Sequence, residues 1–118
     1  MPGGQREGNI SVGGDSRTYP VIRFNGPVTN PYLKCDSLWT VKLNMSLLAG
    51  QWVEIDTRPW KLSVLRNGLY SEAGKLDRRT RMENLYFTPG LHDLAFGGTS
   101  PEGTATATVS WRGAFASL

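Results

Sequence analysis

The chain has 118 residues and a mass of 13.0 kDa, enough for one domain that buries roughly two thirds of its unfolded surface without disulfides or metals. Its 39% hydrophobic content and four tryptophans exclude a disordered polymer, while 14 glycines and 7 prolines favour many turns over long helices. The formal charge of +3 comes from scattered basic residues. The one cluster, Lys75, Arg78, Arg79 and Arg81, is diluted by Glu72, Asp77 and Glu83, so no nucleic-acid partner is expected.

The first residues, MPGGQREGNISVGGDSR, lack the apolar core of a signal peptide, and no apolar run reaches the length of a membrane span. Neither export by that route nor membrane insertion is expected. A single cysteine, Cys35, excludes an internal disulfide. Residues 1–18 read as a flexible glycine-rich leader in which Asn9 to Val12 is the one plausible strand, and residues 19–118 as a single domain.

From Tyr19 onward, turn signals recur every eight to twelve residues, the spacing of a sandwich or barrel. In YPVIRFNGPVTNPYL, Ile22 and Phe24 alternate with Val21, Arg23 and Asn25 between Pro20 and Gly26. Because proline cannot donate to a sheet ladder, this stretch is expected to be an edge strand turning a corner at Asn30 and Pro31. LWTVKLN places Trp39, Val41 and Leu43 on one core-facing side. In QWVEID, Val53 and Ile55 face opposite to Trp52, Glu54 and Asp56, and Asp56 is placed to close a turn over Thr57 and Arg58.

Asn67 and Gly68, between strand-like flanks, predict a type I′ hairpin. A second hairpin is expected through Ala73 and Gly74, and a third where two apolar runs of MENLYFTPGLHDLAF meet at Thr88, Pro89 and Gly90. In TATATVSW, Ala105, Ala107, Val109 and Trp111 share one face. The expected fold is all-β, an antiparallel β-sandwich.

Chemistry is sparse. The sole histidine, His92, has no sequence partner that would make it a catalytic base, and one His with one Cys does not supply a zinc site, so no catalytic residue, metal ligand or cofactor is assigned. Glu54 and Asp56 lie about 7 Å apart on one strand face, a spacing compatible with glycoside hydrolysis but equally that of a solvated face. Exposed aromatics are the better candidates. Trp52, Trp60 and Tyr70, with Arg58 beside them, form the candidate ligand or interface set, and Tyr86 is a further stacking residue.

The succession GGDSRTYPVIRFNGPVTNPYL, LLAGQWVEIDT, VLRNG, LYFTPGLHDLAF and TATVSWRGAF, from about Gly14 to Phe115, resembles the carboxy-terminal domain of siphophage distal tail proteins and related minor tail proteins. The resemblance implies a galectin-like jelly roll with a structural, non-enzymatic role in the virion, on a phage tail assembled in the host cytoplasm. In that family a ring-forming domain ordinarily precedes this one, six copies close a ring joining the tail tube to the tail-tip hub or fibre, and the galectin-like domain contacts neighbouring tail proteins or, in some members, a host saccharide. The alternative reading is a carbohydrate-binding module for cell-wall sugar.

Overall fold

Strict two-residue alternation of apolar and polar side chains gives each strand one face for a core and one for water, and two such faces bury each other. The computed structural model describes residues 6–14, 16–36, 38–100 and 103–118. In chain order the strands are β1 (Arg6–Val12), β2 (Val21–Asn25), β3 (Val28–Cys35), β4 (Trp39–Lys42), β5 (Ser46–Leu47) and β6 (Trp52–Asp56). There follow β7 (Ser63–Arg66), β8 (Tyr70–Ser71), β9 (Gly90–Thr99), β10 (Thr106–Trp111) and β11 (Ala114–Ser117), with short 3₁₀ turns at Ala73–Lys75 and Met82–Asn84.

The protein is an all-β antiparallel sandwich. One sheet runs β1-β9-β3-β4, with β5 also on β3, and the other runs β11-β10-β2-β6-β7-β8. Ile22, Phe24, Val53, Ile55, Ala107 and Val109 from the six-stranded sheet meet Leu33, Val41, Leu94 and Phe96 from the other in one core. Phe24 stacks on Phe96 across the interface with ring centroids 5.8 Å apart. Trp39, Val41 and Leu43 are all buried, as are Ala105, Ala107, Val109 and Trp111, in agreement with their alternation.

Several expectations need correction. Within the expected leader 1–18, the strand expected at Asn9–Val12 extends over Arg6–Val12, pairs residue for residue with β9, and places Ile10 and Val12 in the core. Its glycines and charges disguised a strand whose inward positions are few. The expected leader residues 1–5 lie outside the described residues.

The strand in YPVIRFNGP is interior, held between β10 and β6. Pro20 and Pro27 flank Val21–Asn25 and none lies within it, so all five backbone N–H groups remain available to the ladder. Pro31 sits inside β3 at a bulge, where Asn30 (φ 52°) and Pro31 together oppose Gly98 (φ 138°). Ala73 and Gly74 form a 3₁₀ turn in place of the expected hairpin. The run Leu85–Phe87 likewise forms no hairpin with β9. It makes a single bridge to Thr18, and Phe87 fills the space between Trp39 and Trp111, with centroids 5.8 Å from each.

Candidate functional site

The outward face of the six-stranded sheet carries Arg23, Asn25, Trp52, Glu54 and Asp56 on paired strands. Arg23 lies 4.1 Å above the Trp52 ring and donates to Glu54 at 3.1 Å, so Trp52 is half covered by a guanidinium. Thr108 and Ser110 of β10 complete a shallow polar groove of 240 Å³ along this face.

At one end of the sheet the groove runs into a larger cleft through Val21 and Ser110. Beyond β6, Thr57 anchors the chain by donating its hydroxyl to the Pro20 carbonyl at 2.7 Å. Arg58 then folds back on Asp56, with Nη2 2.6 Å from Oδ2 and both its Nε and backbone N–H on Oδ1. Burial pushes the Asp56 carboxyl up, but the Arg58 hydrogen bonds and charge outweigh it and hold the pKa below the usual carboxylate range.

Opposite Arg58 stands Arg112, in a two-residue turn joining β10 to β11. Arg112 (φ 40°) and Gly113 (φ 76°) both adopt positive φ, the requirement of a type I′ turn. The Arg112 guanidinium donates to Ser16 Oγ at 3.1 Å. Arg17, 4.3 Å above the Tyr86 ring, adds a third guanidinium. These groups, with Tyr19 and Trp60, border two adjoining clefts of 390 and 360 Å³ that share Tyr19, Arg58 and Arg112.

Of the residues singled out from the sequence, Arg58 and Trp60 come together at this end cleft. Trp52 stands at the far end of β6, about 13 Å along the strand from Asp56. Tyr70 is at the outer edge, where β8 pairs with β7 and its ring lies 4.8 Å from the Arg66 guanidinium. The four do not form one site. Arg17, Tyr19 and Arg112 escaped the sequence reading. The pair Arg112–Gly113 after an alternating strand was the available signal for the turn, whereas Arg17 was hidden in a segment read as leader.

His92, the sole histidine, is buried on the inward face of β9 beside Phe87, in the alternation His92, Leu94, Phe96. Nδ1 is 2.6 Å from Asp36 Oδ2 and Nε2 is 2.6 Å from the Thr88 carbonyl oxygen. Two acceptors call for two N–H donors, so this geometry suits the imidazolium. Cys35 lies alongside, its thiol pKa pushed up to about 12 by burial and by the Asp36 and Asp93 charges. Although Cys35, Asp36 and His92 have ligand atoms within 4.8 Å of one another, both His92 nitrogens are engaged and the thiol is protonated, an arrangement of structural polar contacts.

Glu54 and Asp56 do share a face as expected, but each is paired with an arginine. No known protein family, curated protein or solved structure matches this chain.

Proposed function

We propose that this chain is a non-catalytic assembly module of a siphophage distal tail, a galectin-like sandwich that docks on neighbouring tail proteins. The reading is supported by the order of its motifs, which resembles that family, together with the two-sheet architecture that such a resemblance requires. One observation carries the docking function. Along the outer edge of the six-stranded sheet, Leu62 before β7 and Leu69 and Tyr70 beyond its other end are 50%, 76% and 56% exposed, apolar side chains left for a partner to cover. The edge strand β8 has only two residues, too short to recruit a foreign strand, so contact there is made through side chains. In a closed ring, each copy would present this same edge to an equivalent neighbour or hub protein.

Gold-labelled antibody against the domain should decorate the distal tail of particles that carry it. Particles assembled with a Leu69→Glu/Tyr70→Glu variant should lose the label while the isolated variant keeps its circular dichroism spectrum. Absence of the wild-type chain from tailed particles would refute the tail assignment.

A second reading, saccharide binding, is favoured by Trp60, which is 73% exposed at the cleft beside Arg58 and Tyr19. An exposed indole bordering polar hydrogen-bonding groups provides a stacking platform for a sugar ring. Binding on a glycan array that Trp60→Ala abolishes would support it; silence across host wall sugars would count against it.

A further inference from the structure

We propose that the end cleft takes an anionic saccharide, a sugar bearing a phosphate or carboxylate group. The inference rests on the saccharide reading above and narrows its ligand class. Three chain segments distant in sequence bring Arg17, Arg58 and Arg112 to one opening. Asp56 neutralises Arg58, but Arg17 and Arg112 meet no carboxylate among the described residues. Their guanidiniums are nevertheless positioned, one over the Tyr86 ring and the other against Ser16. A side chain at Gly14 would collide with the Arg112 guanidinium, so the bare backbone there leaves room for it. Two oriented guanidiniums that meet no carboxylate among the described residues form a site for an oxyanion, which each can meet through paired N–H donors.

Thr18 supplies an independent observation. It is 4% exposed in the wall of the same cleft, and its hydroxyl is the one buried side-chain polar atom among the described residues without a hydrogen-bond partner. Leaving such a group unpaired is unfavourable, and because the oxygen is itself enclosed, the unmet hydrogen bond belongs to the cleft wall and becomes reachable from the cleft only when that wall shifts. Trp60 and Tyr19 add ring faces, and the adjoining groove offers Thr108, Ser110 and Glu54 to sugar hydroxyls. The clefts of 360 and 390 Å³ suit a small ligand or the end of a chain more than a nucleic-acid duplex.

Titration calorimetry on the whole chain with glucose 1-phosphate, glucuronate, glucose, inorganic phosphate and a thymidine oligonucleotide tests this. Binding of glucose 1-phosphate or glucuronate at least tenfold tighter than glucose is expected. An Arg17→Gln/Arg112→Gln variant, altered only at exposed positions, should weaken it tenfold or more with an unchanged melting temperature, and Trp60→Ala should weaken it too. Equal affinity for glucose would overturn the anionic inference and leave the saccharide reading intact, whereas no binding of any sugar would overturn both. Inorganic phosphate binding as tightly as the sugar phosphate would overturn saccharide recognition. Preference for the oligonucleotide would replace the proposal with a nucleic-acid site.

Discussion

Burial lowers the pKa of His92, but the Thr88 carbonyl and the Asp36 carboxylate more than offset it, so the imidazole titrates above the ordinary histidine range. Asp36 moves the other way, held low by the Asp93 backbone N–H and by His92. A histidine with a raised folded pKa contributes stability that is complete below its unfolded value near 6.5 and disappears as pH rises through the folded value. The Asp36 contribution is present above its unfolded value near 3.8 and fades as pH falls through the lowered one. Urea unfolding should therefore show stability declining as pH rises above about 6.5, with a flatter profile in His92→Gln. His92→Ala should cost about 2 kcal/mol at pH 6, since it removes two part-buried hydrogen bonds and the buried imidazole that makes them. A wild-type profile flat across that range would show that the imidazole is not the stabilising cation. The sequence offered this histidine no partner, and the one it finds, Asp36, is 56 residues away.

Among the elements, β9 shows how a strand accommodates two consecutive glycines. Gly97 pairs with Tyr32 of β3, and a Cβ at Gly97 would fall within the Tyr32 ring, so the aromatic side chain covers the space left by the glycine. Gly98 occupies the bulge opposite Asn30 and Pro31 at a φ of 138°. Gly97→Ala should accordingly destabilise the protein by about 2 kcal/mol or more through overpacking. In thermal melts the loss should be substantially relieved by adding Tyr32→Ala; strictly additive single and double mutants would contradict the ring-over-glycine contact. Turn chemistry was more legible than strand position. The Asn67–Gly68 turn has both φ values positive, 53° and 72°, and Leu69 N–H donates to the Arg66 carbonyl at 3.1 Å, as the dipeptide predicts. The interior placement of β2 was not legible, because flanking prolines resemble those of an edge strand until the neighbours on both sides are known.

For the whole molecule, β1 covers β9 along seven paired positions and closes that side of its sheet. Its Ile10 and Val12 are nearly fully buried, and burial of two such side chains is worth roughly 3–6 kcal/mol. Removing residues 1–12 should therefore lower the urea midpoint sharply and expose the long strand β9 to edge pairing, seen as concentration-dependent aggregation. A truncated chain that melts like the full one would show that β1 is dispensable. At the same scale, Leu69 and Tyr70 of the proposed docking edge lie at the opposite end of β7 from the cleft residue Trp60. Leu69 and Tyr70 offer apolar surface beside the Arg66–Glu72 ion pair, whereas the end cleft is cationic and aromatic, so Leu69→Glu/Tyr70→Glu should leave saccharide binding unaffected.

Alternation and turn chemistry, which depend on neighbours two to four residues apart, determined the all-β class, the inward faces of Trp39–Leu43, Val53–Ile55 and Ala105–Trp111, and the Asn67–Gly68 turn. Those signals are local, and the backbone geometry that reads them is local too. Tertiary structure decided which strands are interior, the incorporation of Arg6–Val12, the pairing of buried His92 with Asp36, and the meeting of Arg17, Arg58 and Arg112. Each of these joins residues from distant parts of the chain, and such pairings are selected by the combined fit of two sheets around one core, which no short window of sequence contains.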